Sequence, residues 1–234
     1  MRGWFVVAAV ALSAVIVVVG AGCGGGGGEK PKLDRATLES MLMEIAPTLD
    51  DLPPNFAVTE EKFQTNEEAA ETDPDGPTAA LKRYEDEGRL LGRVGVYMTN
   101  DTFGAFTNGG DALITVLTSI YEDSKGATAA MDYVREVMAD PARAQAIFQN
   151  VTDLQGEPMS FASIGDDTVA YRFTGVSHPE GIQVNVNFIA HAVGIRQGQG
   201  ISTLVVAAIG GATPGSEVEE LVRKLNERMA QALP

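Results

Sequence analysis

With two histidines, His178 and His191, and a single cysteine, Cys23, in 234 residues, nucleophilic or metal chemistry has few places to begin. Ser177-His178-Pro179-Glu180 puts a hydroxyl, an imidazole and a carboxylate within four residues. Catalytic triads, however, are assembled by folding from distant positions, and this stretch reads as a polar hairpin turn. His191 falls inside an alternating segment and reads as a strand histidine. The glycines of a G-x-S-x-G nucleophile turn recur at Gly211 and Gly215, but Thr213 replaces the serine and Pro214 follows it, so the segment reads as a loop before the last helix. Glu71, Asp73, Asp75 and Gly76 occupy positions one, three, five and six of a twelve-residue calcium loop. Position twelve is Lys82, where calcium needs a bidentate carboxylate, so no metal site is expected there. Gly194, Gly198 and Gly200 precede a strand rather than a helix N-terminus and bend a turn instead of cradling phosphate. No catalytic residue, metal or cofactor is expected from these patterns.

Four arginines are the better candidates. Arg89 and Arg93 alternate with apolar residues, and Arg172 and Arg196 lie in or beside later strands. In so acidic a chain, pairing with the many carboxylates is the leading expectation for them, and convergence on an anionic ligand is the alternative that would make them a site.

The thiol has a different assignment. Arg2, an uncharged apolar run over residues 4–21, and Gly20-Ala21-Gly22 immediately before Cys23 resemble the lipobox of a bacterial lipoprotein precursor. The resemblance implies cleavage before Cys23, lipidation of its sulfur, and a membrane anchor to which each buried methylene contributes about 0.8 kcal/mol. Leucine is usual where Gly20 stands, and the alternative is an uncleaved transmembrane helix of marginal length. Residues 1–22 are then a signal peptide. Residues 23–32 are the lipidated cysteine and a flexible glycine-rich tether with a reach on the order of 15 Å. Residues 33–234 form one extracytoplasmic domain on the outer face of the cell membrane.

The chain carries 17 basic and 32 acidic residues, a formal charge of −15. Such a surface repels nucleic acid and anionic lipid heads, so nucleic acid is excluded as a partner and the membrane is met through the anchor alone. With Cys23 consumed, neither disulfides nor thiolate chemistry is available to the domain.

Positioning falls to the elements. Residues 34–45 carry Leu38, Met41, Leu42 and Ile45 at helical spacing behind an Asp34 N-cap. Short helices are predicted from Asn66 and from Thr78 to near Gly88. Strands over 89–99 and 112–121 form an antiparallel pair. A helix over 126–138 is followed by one that Asp140-Pro141 starts and that runs to Phe148. Two hairpins follow: 159–164 with 168–173, and 182–195 with 201–209. Val218, Leu221, Val222, Leu225 and Met229 stripe a closing helix. The predicted fold is α+β, an antiparallel sheet of about five to seven strands covered by helices. A pocket between layers rich in Ala, Val and Met is one form a binding site can take.

The run Ile164-Gly-Asp-Asp-Thr-Val-Ala-Tyr-Arg172, the later turn Arg196-Gln-Gly-Gln-Gly200 and the terminal helix together resemble the PsbP-like and PknH-type kinase-ectodomain α/β sandwich of exported bacterial domains. The resemblance covers residues 90–234, and the paired cysteines of the kinase ectodomains are missing. It implies a non-catalytic binding, sensor or envelope-assembly module whose partner is a small molecule or an envelope protein. The competing classes are an extracytoplasmic hydrolase built from dispersed carboxylates with His178 or His191, and a structural spacer.

Overall fold

The computed structural model describes residues 33–100, 110–148, 151–177, 185–209 and 217–233. The leader, Cys23 and the tether, His178 and the rest of its turn, and the 211–215 loop lie outside them. In chain order the described elements are α1 (Arg35–Ile45), a 3-10 turn (Leu49–Asp51), β1 (Phe56–Gln64), α2 (Asn66–Ala70), α3 (Pro77–Asp86), β2 (Arg89–Thr99) and β3 (Gly110–Tyr121). They continue as α4 (Ser124–Ala139), α5 (Pro141–Ile147), β4 (Val151–Pro158), β5 (Asp167–Ser177), β6 (Val186–Gln197), β7 (Gly200–Ile209) and α6 (Glu217–Ala232). The predicted α+β architecture forms: one sheet of seven strands, ordered β1-β2-β3-β7-β6-β5-β4, with every neighbouring pair antiparallel. These elements and their core lie within one unit, Asp34–Pro234.

Local chemistry sets the boundaries. Asp34 accepts a hydrogen bond from the Thr37 N–H at 2.7 Å and starts α1, while Asp140 accepts from the Ala142 N–H at 2.9 Å and starts α5 with Pro141 in its first turn. Strand β6 extends to Gln197, which pairs with Gly200. That leaves Gly198-Gln199 as a two-residue turn, tighter than the sequence suggests, with Gly198 at φ +58°.

Two strands escape the sequence reading. β1 is an edge strand whose middle residues are exposed on both faces, so its apolar residues do not alternate. The first hairpin is built from β4 and β5, with Pro158 opposite Tyr171, and the predicted strand at 159–164 is a connecting loop. The Thr168 hydroxyl takes both backbone groups of Ile164, at 2.9 and 2.6 Å. Groups engaged by a side chain are lost to a strand ladder.

The sheet is covered on both faces. α1 lies over β2 and β3, and α6 over β6 and β7 on the same side. There Leu42, Ile114, Val116, Leu204, Val222 and Leu225 are buried. α4 spans the opposite face from β3 to β4, packing Ala130 and Met131 on Phe173, Ala190 and Ala192. A bulge between Arg89 and Leu91 breaks the period of β2. It turns Arg89 toward α4, opposite Tyr121, whereas Arg93 points toward α1, opposite Thr118.

Candidate functional site

The α4 layer does not cover its sheet face completely. A cavity of about 440 Å³ opens between strands β1, β2, β3 and β7 and the helices α2 to α5. Val94, Leu117 and Val205 floor it, and Val134, Val137 and Met138 roof it. Leu117 lies on β3, hydrogen-bonded between β2 and β7, yet it is 40% exposed. An apolar side chain in the middle of an interior strand keeps that exposure only because no helix side chain fills the space above it. Ile147, at the end of α5, is a second exposed apolar lining residue.

One end of the cavity is polar. Asp73, in the turn between α2 and α3, accepts from Arg83 Nη2 at 2.5 Å, from the Tyr84 hydroxyl at 2.9 Å and from the Tyr133 hydroxyl at 2.8 Å. The Arg83 guanidinium lies 3.3 Å from the Tyr133 ring centre. Burial works against ionisation of Asp73, but Arg83, the Asp75 N–H and Tyr133 hold its carboxyl below the usual range. Burial also works against the Arg83 cation, and Asp73 raises its pKa regardless. Tyr84 is pushed up to about 12, first by burial and then by Asp73. The would-be calcium loop is therefore a structural clasp: Asp75 faces Arg83 at 3.3 Å and Arg143 at 2.8 Å, so both aspartates turn their oxygens to arginines.

Glu87, at the C-cap of α3, also lines the cavity. Its nearest cation is Arg83, whose Nε is 3.7 Å away, beyond hydrogen-bond reach. Burial raises its pKa to about 7; Asp73 and Asp86 push the same way, and Arg83 and Arg89 oppose. Glu87 is thus the cavity group that changes charge near neutral pH.

The four candidate arginines do not converge. Arg93 meets Glu61 at 2.5 Å on the α1 side of the sheet. Arg172 meets Glu157 at 3.0 Å on β5, and Arg196 meets Asp166 at 3.1 Å at the β6–β7 turn. Only Arg89 lines the cavity. It is 5% exposed, and its hydrogen bonds go to neutral acceptors: Nε to Ser119 Oγ at 3.1 Å, and Nη1 to Asn66 Oδ1 at 2.9 Å and to the Gln64 and Thr65 carbonyls at 3.4 and 3.3 Å. Among the described residues no carboxylate lies within 4.0 Å of it. Burial lowers its pKa.

His191, on β6, stands opposite Arg172 on the other face of the sheet from α4, where burial and then Arg172 lower its pKa. It therefore does not share a site with Glu87, and the His191 form of the hydrolase reading does not assemble in the cavity; His178 lies outside the described residues. Tyr84, Glu87, Leu117 and Tyr133 escaped the sequence reading. The only sequence signal for them was an arginine-tyrosine pair closing a helix just before a glutamate, Arg83-Tyr84-x-x-Glu87.

Among the described residues, no helix is long and apolar enough to cross a membrane, and no group of three or more His, Cys, Asp or Glu side chains is placed to hold a metal ion. No protein-family model matches the sequence, and no curated protein matches it. Among solved structures, the crystal structure of the extracellular domain of PknH from Mycobacterium tuberculosis is similar over 85% of this chain and 92% of that one, with a TM-score of 0.44 and 8% identity.

Proposed function

We propose that this chain is a lipid-anchored, extracytoplasmic binding module that holds a largely apolar small molecule between its sheet and α4, without catalysing a reaction. The exposed Leu117 at the cavity floor carries the reading, because an interior strand leaves such a side chain to solvent where something else covers it. The volume falls in the range of small-molecule sites, and an apolar lining with a few polar groups at one end is the usual makeup of such a site. In the clasp, Asp73 is held by Arg83, Tyr84 and Tyr133 at once, which suits a rigid wall better than a reacting group. The small residues before Cys23 support the anchor, and the net charge of −15 keeps the body off anionic headgroups.

The chain from Lys32 onward keeps every described element and is the form to test. Native mass spectrometry and a melting-temperature screen with apolar compounds are expected to find a bound species or an upward shift. Val134→Phe, which fills the roof, is expected to abolish that shift while the fold persists. A flat screen with no co-purifying molecule contradicts the proposal. The anchor is checked separately by the mass of the mature chain, which is expected to begin at a lipid-modified Cys23.

A further inference from the structure

Two cations at the polar end of the cavity have incomplete surroundings: Arg83, whose buried Nε has no hydrogen-bond partner among the described residues but whose charge is met by Asp73, and Arg89, whose charge is met by no carboxylate within 4.0 Å among the described residues. Arg89 is buried, and a buried guanidinium ordinarily sits against a carboxylate, because neutral dipoles only partly replace the water it gives up. The other three candidate arginines each have a carboxylate at 2.5 to 3.1 Å; Arg89 has Ser119, Asn66 and two carbonyls. Those acceptors occupy Nε and Nη1. Nη2 makes no hydrogen bond among the described residues, and it is not one of the sealed, unpartnered side-chain atoms. It still meets solvent, and the solvent space bordering Arg89 is the cavity. The chain makes room for this posture: a Cβ on Gly92 would collide with Nη2, so glycine there leaves the guanidinium its place. A bulge aims the side chain in, a glycine clears its path, and neutral acceptors fix two of its nitrogens while the third is left open.

We infer that the cavity's ligand carries one anionic oxygen group on its apolar body, received by Nη2 of Arg89. This rests on the cavity being a binding site. The ligand class is an apolar monoanion, such as an acyl chain ending in a carboxylate or a soluble aromatic acid. Its anion supplies the charge that Arg89 lacks, and its apolar part covers Leu117 and Val94. Of the groups facing Arg89, Tyr84 and Tyr121 are neutral at neutral pH, Arg83 is committed to Asp73, and Glu87 titrates near neutrality.

The test compares dodecanoate with dodecanol by calorimetry on the chain from Lys32 onward, with 4-phenylbutanoate as a second acid to tell an aromatic ligand from a lipid-derived one. At least one acid is expected to bind about tenfold or more tighter than the alcohol, a margin set by one charge-assisted hydrogen bond. Arg89→Gln is expected to abolish the preference for acid while alcohol binding is retained. If the variant does not fold, a crystal structure of the unmutated chain with the acid decides, and the carboxylate is expected within hydrogen-bond distance of Nη2. Alcohol binding as tight as acid binding, or a carboxylate seated at Lys62, Arg83 or the cavity mouth, overturns the inference and leaves the apolar site standing. If none of the three compounds binds, the cavity reading itself falls.

Discussion

Two residues of the cavity behave in ways that a change of one side chain exposes. Burial raises the folded-state pKa of Glu87 to about 7, from the ordinary glutamate value of 4.5. Its unfolded form therefore ionises first, and the protein loses stability as pH climbs from about 4.5 to about 7. Glu87→Gln removes that loss and is expected to stabilise the protein at pH 7.5 by about 1–2 kcal/mol after solvent screening, with a flatter pH profile in denaturant titrations. The same ionisation places a carboxylate near Arg89, with Arg83, Asp73 and Asp86 as its other charged neighbours. Dodecanoate affinity is accordingly expected to fall several-fold as pH rises through about 7, read by calorimetry at two pH values. Gly92→Ala sets a methyl group against Nη2 of Arg89 and is expected to cost about 1–3 kcal/mol in chemical denaturation. Sequence alone identified Arg89 as a candidate and misjudged its companions. Alternation with Arg93 puts both on one face, and the bulge at 89–91, which has no marker in residue type, puts them on opposite faces. Tyr84 and Glu87 were illegible for a related reason, since on a helix of mostly polar residues nothing separates a buried carboxylate from a solvated one.

The helices that roof the cavity are joined by an ionic knot as well as by apolar packing. Asp73 reaches α3 through Arg83 and Tyr84 and α4 through Tyr133, and Asp75 reaches α5 through Arg143. Asp73→Ala leaves Arg83 with its main counter-charge gone and is expected to cost about 3–5 kcal/mol. Hydrogen exchange is expected to show the added opening in α3 and α4 before it reaches the sheet. Elements with a strong period or a cap were legible in the sequence, as with α1, the Asp140-Pro141 start of α5 and the apolar stripe of α6. β1 and β4 were not, because both are edge strands with few buried residues. Their side chains face solvent, and the hydrogen bonds that make them strands leave no trace in hydropathy.

Across the whole molecule, the two ends of the folded unit are fastened on the face away from the cavity. Arg228 of α6 donates to Asp51 at 2.7 Å and to the Ala46 carbonyl at 2.6 Å, and Lys224 lies 3.5 Å from the same aspartate. Burial opposes ionisation of Asp51, yet the Thr48 N–H and Arg228 hold its pKa down to about 2. The stability it contributes is complete above about pH 4 and is lost as pH falls toward 2. Asp51→Asn is thus expected to melt lower than the unmodified chain at neutral pH and to converge with it near about pH 2 in thermal scans. The strand order has a consequence in time. β3 finds its second partner in β7, joined by the Thr118–Ser202 hydroxyl pair across 84 residues, so the first three strands wait on the far end of the chain before the sheet can close. Closing so long a loop is slow. A chain lacking Gly200–Ile209 has no sheet interior to complete. Until β7 is made, the facing edges of β3 and β6 have no strand between them to take up their backbone hydrogen bonds.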